Sequence, residues 1–106
     1  MHIQIINFNL KDTTVSEYED LCNQMAGAFA GVPGLLSKVW LADRDANVFG
    51  GIYTWRDEQA LRAYETTELF QNVIQNPHFA NITAREFGVL EAPTRVTNGA
   101  PAATAA

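Results

Sequence analysis

The stretch that decides the fold is residues 35–64, LLSKVWLADRDANVFGGIYTWRDEQALRAY. Two runs in it, 35–42 and 48–55, are rich in β-branched and aromatic residues, which half-buried strands prefer. The Asp and Asn residues between them favour a chain reversal. Asp57 can then cap a helix in which apolar residues recur on one face. The stretch therefore predicts a β-hairpin that leads directly into a helix, with two Trp and two Tyr concentrated in it.

Length and charge restrict the class of protein. A chain of 106 residues is one domain. Its net charge of -5 and its pI near 4.8 argue against nucleic acid and anionic membranes as partners, because both require a basic surface. We find no apolar run long enough to cross a bilayer, and no signal peptide at the first residues. The single cysteine, Cys22, is compatible with a reducing cytoplasm, which is the expected location.

The first part of the chain predicts a strand and a helix. Residues 2–10 read as a strand because Ile and Phe dominate them. The segment 14–17, TVSE, has the capping-box pattern that begins a helix, and apolar residues continue at helical spacing to Phe29. We expect Gly31 to end this helix in the left-handed conformation that glycine tolerates.

The last part of the chain predicts a second helical region and a final strand. A fresh cap or a kink is expected at Thr66 and Thr67, with a short amphipathic helix after it. Residues 79–91 form the predicted last strand. The domain is assigned to residues 1–91. Residues 92–106 contain almost no bulky apolar side chains, so we expect a flexible tail there.

The order strand, helix, strand, strand, helix, strand predicts an α+β fold of the ferredoxin-like βαββαβ type. Such a chain forms a four-stranded antiparallel sheet with both helices on one face. Apolar residues occupy both parities of the strands, so the uncovered face is also apolar. Since a large apolar surface is better covered by protein than by water, we expect a homodimer packed sheet against sheet.

Four short motifs of this sequence resemble the YdhR-like monooxygenase family of the dimeric α+β barrel superfamily. They are Pro33-Gly34-Leu35, Lys38-Val39-Trp40, Gly50-Gly51-Ile52-Tyr53, and Asp57-Glu58 with Ala63-Tyr64. The resemblance implies a dimeric α+β barrel with a pocket between helices and sheet in each subunit. It also implies activities found among the relatives: cofactor-independent oxygenation of phenolic polycyclic compounds, haem degradation, isomerisation, decarboxylation or no established activity.

Aromatic side chains are the candidate substrate-binding residues. Strand parity places Tyr53 and Trp55 on one face, where Gly51 leaves space beside them. With Trp40 they could form the wall of a pocket for a flat substrate, although large rings also simply fill cores. Two further candidates complete the set. Tyr64 comes from the alignment with haem-degrading relatives, and Phe87 lies on the last strand.

Three polar residues are the candidates for catalysis. His78 could be a general base because its ordinary pKa lies near neutrality, although a lone loop histidine is usually exposed. Arg85 could bind an oxyanion or could pair with a carboxylate, and Lys38 has the same two interpretations. Asn7 corresponds to an Asn that matters in haem-degrading relatives, or satisfies local backbone. Those relatives need a His near position 74, which is Ile in this chain, so haem degradation is disfavoured.

The preferred hypothesis is a cofactor-independent monooxygenase for a small aromatic or phenolic, polyketide-like substrate. The sequence has no flavin or nicotinamide fingerprint and no metal-ligand cluster, so no cofactor is expected. An activated substrate carbanion would then pass electrons to O2, and the protein would supply deprotonation and a dry pocket. The alternative is a non-redox cyclase, isomerase or ligand-binding protein on the same fold.

Overall fold

The computed structural model of the chain describes residues 1–99. Four strands and four helices follow one another in these residues. In chain order they are β1 (His2–Leu10), α1 (Val15–Ala30), β2 (Leu35–Asp43), β3 (Val48–Trp55), α2 (Glu58–Tyr64), α3 (Glu68–Ile74), β4 (Phe79–Gly88) and α4 (Glu91–Val96).

The sheet has the topology that the sequence predicted. Its four strands lie in the order β2-β3-β1-β4, and every neighbouring pair is antiparallel. Strand β1 pairs with β3 on one side and with β4 on the other, which is the ferredoxin-like arrangement. The predicted α+β fold with a four-stranded antiparallel sheet is therefore confirmed, and β2 and β4 are its edge strands.

Local hydrogen bonds explain where three helices begin. The Thr14 hydroxyl accepts from the Glu17 backbone N–H at 3.1 Å, and the Glu17 carboxylate accepts from the Thr14 N–H at 3.1 Å. Asp57 caps α2 by accepting from Ala60 N–H at 2.8 Å. Thr67 caps α3, which confirms the fresh helix start predicted there.

The end of α1 differs from the prediction at one glycine. Gly31 closes the helix with φ -88°, which any residue can adopt, and not in the left-handed conformation. Gly34 is the residue that needs the freedom of glycine, since its φ is +80°. The left-handed position therefore lies three residues later, at the tight entry into β2.

The core lies between the helices and one face of the sheet. The residues that fill it are mainly aromatic, and Trp55 and Leu61 are completely inaccessible to solvent. Rings contact one another throughout: Trp55 packs 5.1 Å from Tyr64, and Phe8 stacks on Phe79 at 4.1 Å between ring centroids. This face, called here the helix-side face, carries Phe49, Gly51, Tyr53 and Trp55 of β3 as strand parity predicted.

Helices α1, α2 and α3 do not cover the opposite face of the sheet. Register places Ile5 beside Ile52 and Arg85 on it, and it also carries Val39 and Phe87. Val39 is 54% exposed to solvent and Phe87 is 43% exposed, although both are large apolar residues. We call this surface the open sheet face.

The carboxyl end differs from the prediction. Strand β4 ends at Gly88, three residues before the predicted limit, and helix α4 then spans Glu91–Val96, so that all but its first residue lies in the segment 92–106 that was predicted to be flexible. The helix has no buried residue, as the scarcity of bulky apolar side chains led us to expect. Residues 100–106 of that segment lie outside the described residues, and the domain boundary after residue 91 stays a prediction. None of the helices in residues 1–99 is long and apolar enough to span a membrane.

Candidate functional site

The central feature of the site is the amine of Lys38 among three aromatic rings. In the β2–β3 hairpin Lys38 pairs with Tyr53, and both side chains lie on the helix-side face. The Lys38 Nζ lies 3.3 Å from the ring centroid of Phe29, 3.5 Å from that of Trp40 and 4.6 Å from that of Tyr53. Ring faces at such distances attract the protonated amine, which partly offsets the cost of removing its charge from water. We call Lys38 and these rings the lysine cage.

Burial changes the acid–base behaviour of this lysine. Removal of the ammonium group from water lowers the pKa of Lys38 to about 7, and the nearby Cys22 opposes this effect. Because no Asp or Glu lines the cavity next to the amine, no carboxylate restores the charged form. A substantial fraction of Lys38 is therefore a neutral amine at neutral pH, which is the form that a general base requires.

A small cavity adjoins the lysine cage between α1, α3 and the sheet. Its volume is about 20 Å³, slightly more than the roughly 10–15 Å³ that one water molecule needs. Its walls are almost entirely apolar. The lining residues are Phe8, Tyr18, Leu21, Cys22, Met25, Phe29, Lys38, Trp40, Gly50, Tyr53, Val73 and Phe79.

Two larger grooves flank this cavity between α1 and the edge strand β2. The first, about 320 Å³, lies on the side of Cys22 and Phe49, and the second, about 310 Å³, reaches Lys38. Trp40 lines the cavity and both grooves. Trp40 therefore stands where the cavity meets the two grooves, and Ala26 of α1 lines both grooves with it.

Hydroxyl and thiol groups near the cage are held in their neutral forms. Burial raises the pKa of Tyr53 well above its usual value, and the neighbouring Tyr64 adds to this. Burial also raises the pKa of Tyr18, with a smaller contribution from Cys22, and raises that of the Cys22 thiol itself. The Tyr18 and Tyr53 hydroxyls are therefore hydrogen-bond donors, and Lys38 is the group beside the cavity that changes charge near neutrality.

The structure places two of the five predicted substrate-binding residues at the cavity. Trp40 and Tyr53 line it. Trp55 and Tyr64 lie on the same side of the sheet but are packed in the core, with 0% and 3% exposure, respectively. Phe87 lies on the open sheet face, where the Arg85 guanidinium carbon is 5.2 Å from its ring centroid.

The three residues predicted to be catalytic are not brought together at this cavity. Asn7 and Arg85 occupy the parity of the open sheet face, because Asn7 pairs with Gly50 and Arg85 pairs with Ile5. The Asn7 amide donates to the Phe49 carbonyl at 3.4 Å. His78 is exposed outside α3, and its Nδ1 lies 2.9 Å from the carbonyl oxygen of Lys11.

Among the described residues, the cavity lining contains no histidine, aspartate or glutamate side chain. The chain has two histidines, and neither lines it. The His2 Nε2 instead lies 2.8 Å from a carboxylate oxygen of Glu86. Within residues 1–99 we find no group of His, Cys, Asp or Glu side chains that could hold a metal ion.

A comparison with models of sequence families identifies the family of this chain. A model of the family described as "Putative mono-oxygenase ydhR" matches residues 3–100. The chain belongs to this family. The resemblance given by the four motifs is thereby confirmed for almost the whole chain. The sequence of this chain has no significant match among curated proteins.

Solved structures show the same fold at low sequence identity. An antibiotic biosynthesis monooxygenase matches this YdhR-family chain with a TM-score of 0.70 and 20% identity, over 85% of this chain and 99% of the other. A mutant of SnoaB, a cofactor-independent oxygenase from Streptomyces nogalater, matches at 0.67 and 22%, over 85% and 94%. The haem-degrader MhuD from Mycobacterium tuberculosis matches at 0.68 and 18%, over 85% and 96%. At these identities the comparisons establish the fold alone.

Proposed function

We propose that this YdhR-family protein is a cofactor-independent monooxygenase for small aromatic or phenolic, polyketide-like substrates, with Lys38 as its general base. The observation that carries the proposal is the Lys38 amine, held by three rings beside an apolar cavity with no carboxylate in its lining. Family membership and the fold shared with SnoaB favour oxygenation over other reactions of a buried base.

The reaction follows from the basicity of a neutral amine. Lys38 removes a proton from an activated methylene group of the substrate, which leaves a carbanion delocalised over the phenolic rings. The carbanion transfers one electron to O2, and the two radicals combine as a peroxide that takes a proton back. Loss of water gives a ketone, so that the methylene group and O2 become a carbonyl group and one molecule of water. The four electrons that carbon loses reduce both oxygen atoms, and the protein is unchanged.

Substrate access runs between α1 and β2 in this proposal. A cavity of about 20 Å³ is far smaller than a polycyclic ring system, so the substrate has to occupy the adjoining grooves. A rotation of the Trp40 indole would join the cavity to the groove that reaches Lys38. A flat substrate could then stack on Tyr53 and Phe29, with its acidic methylene group beside the amine.

Oxygen uptake tests the proposed function. We expect anthrone-type phenols to consume one O2 per molecule and to yield the corresponding quinone, measured with an oxygen electrode and by mass spectrometry. Boiled protein and anaerobic incubation are the controls. If none of a panel of such phenols consumes O2 faster than buffer, the monooxygenase assignment fails. Rearranged product formed without O2 would instead support the non-redox cyclase or isomerase alternative.

We also propose that two copies pack through their open sheet faces. The face exposes Val39 and Phe87, and Leu90, which precedes α4 and borders the same groove as Phe87, is 80% exposed. An apolar surface of this kind is better covered by a second subunit than by water. Asn7 and Arg85 would then lie at the dimer interface, where a partner carboxylate could pair with Arg85. The cytoplasmic location suggested by the lone Cys22 stays a prediction.

A charge placed on the open sheet face tests the dimer. Val39→Asp should weaken association at least about 100-fold, because two-fold symmetry buries an unpaired carboxylate in each copy. Ala46→Asp in the exposed β2–β3 turn is the matched control and should leave the dimer intact. Sedimentation equilibrium measures both. A monomeric unmodified protein at micromolar concentration would contradict the proposed dimer.

A further inference from the structure

Lys38 differs in its surroundings from four of the five arginines of the chain, the exception being Arg85, which lies over the ring of Phe87 on the open sheet face. Within the described residues, Arg44, Arg56, Arg62 and Arg95 each pair with a carboxylate. The Lys38 amine instead has ring faces on three sides and an apolar cavity beside it. The titratable groups that face it are the Tyr18 hydroxyl and Cys22 thiol of α1 and the Tyr53 hydroxyl of β3. None of these withdraws the amine into an ion pair, so its lone pair is available whenever the proton is absent.

A lysine desolvated in this way can act as a nucleophile as well as a base. We propose that Lys38 is a carbonyl-binding site at which short aldehydes and ketones form a Schiff base. The Nζ lone pair attacks the carbonyl carbon, and the carbinolamine loses water, so the carbonyl compound and the amine become an imine on Nζ and one molecule of water. The step needs no oxidant or reductant. It goes beyond the proposed oxygenation, because it requires neither O2 nor an acidic phenolic substrate.

The shape of the site indicates which carbonyl compounds fit. The cavity of about 20 Å³ has room for little more than a carbonyl group itself. The rest of the ligand would extend into the groove of about 310 Å³ that reaches Lys38 and is lined by apolar side chains and Ser37. Aliphatic or flat aromatic carbonyl compounds without a negative charge are therefore expected, since no fixed cation other than the amine itself lies beside the cavity.

Competitive reductive alkylation tests this site on the unmodified protein. The chain has two lysines, Lys38 and Lys11, and Lys11 is exposed. Propanal and sodium cyanoborohydride are added anaerobically at pH 7, and the propyl group on each lysine is located by peptide mass mapping. An ordinary lysine such as Lys11 has roughly one neutral amine in 2,500 at this pH. Burial leaves a much larger fraction of the Lys38 amine neutral. We therefore expect Lys38 to be alkylated at least tenfold faster than Lys11.

The folded structure itself supplies the decisive control. In urea the cage is lost, and the ratio of alkylation at Lys38 to that at Lys11 should fall to about one. Equal or slower labelling of Lys38 in the folded protein would overturn the carbonyl site. Because the assay contains no phenol and no O2, its failure is independent of a failure of the oxygenase assay. Lys38→Arg should remove the fast label, and the folded-to-urea ratio decides the matter if that variant does not fold.

Discussion

Replacing Lys38 with Met is expected to lower kcat/KM for phenol oxygenation by about 10²–10⁴-fold, the usual contribution of a general base. The methionine side chain fills the lysine cage with similar volume but has no lone pair basic enough to remove the substrate proton. In the unmodified enzyme, kcat/KM should rise with pH through the Lys38 pKa of about 7 and level off above it, because the neutral amine is the active form.

Two further variants separate the base from a mere positive charge. Lys38→Arg keeps a cation beside the rings, but a guanidinium is not deprotonated in this pH range, so the variant should be as inactive as Lys38→Met. Lys11→Met, at an exposed position, should retain full activity. Circular dichroism should show all three variants folded. Activity retained in folded Lys38→Arg would contradict the role of Lys38 as a base.

Gly50→Ala is expected to lower the free energy of unfolding by at least about 3 kcal/mol. The φ of Gly50 is +147°, a conformation that side chains with a Cβ rarely adopt. An alanine Cβ there would also lie 1.8 Å from the carbonyl oxygen of Ile6, on the neighbouring strand β1. Since a backbone atom cannot move aside as a side chain can, the β1–β3 pairing must be disturbed.

The matched control is a second glycine of the same chain. Gly27 is exposed in the last turn of α1, where an added Cβ meets nothing within 4 Å. Gly27→Ala should therefore raise the free energy of unfolding by about 0.5–1 kcal/mol through helix propensity. Urea denaturation measures both variants. A Gly50→Ala protein as stable as the unmodified one would show that the strand pairing at Gly50 tolerates a side chain.

The fold could be predicted from the sequence because the patterns that determine it are local. Turn residues, the capping box at Thr14 and the cap at Asp57 each act within a few residues, and all appear where the pattern places them. The ferredoxin-like topology follows from the order of elements and short connections. The helix α4 was missed because its sequence buries nothing, so no apolar periodicity marks it.

The residues of the site were harder to predict because their positions depend on the register between strands. Alternation gave the relative faces of Tyr53 and Trp55 within β3, but not the faces of residues on β1 and β4 relative to them. The observed pairing of Ile5 with Arg85 places Arg85 on the open sheet face, and Asn7 shares that face. The signal for Lys38 was present: in a hairpin turning at 43–48, Lys38 falls opposite Tyr53.

The ionisation of Lys38 tests the central claim most directly. Because the chain has two lysines, labelling with lysine enriched in ¹³C at Cε gives two resonances, and Lys11→Arg assigns them. The account predicts that the Lys38 resonance titrates with a midpoint near its pKa of about 7. A midpoint near the ordinary lysine value of about 10.4 would contradict it, since the amine would then be an ammonium ion throughout the neutral range.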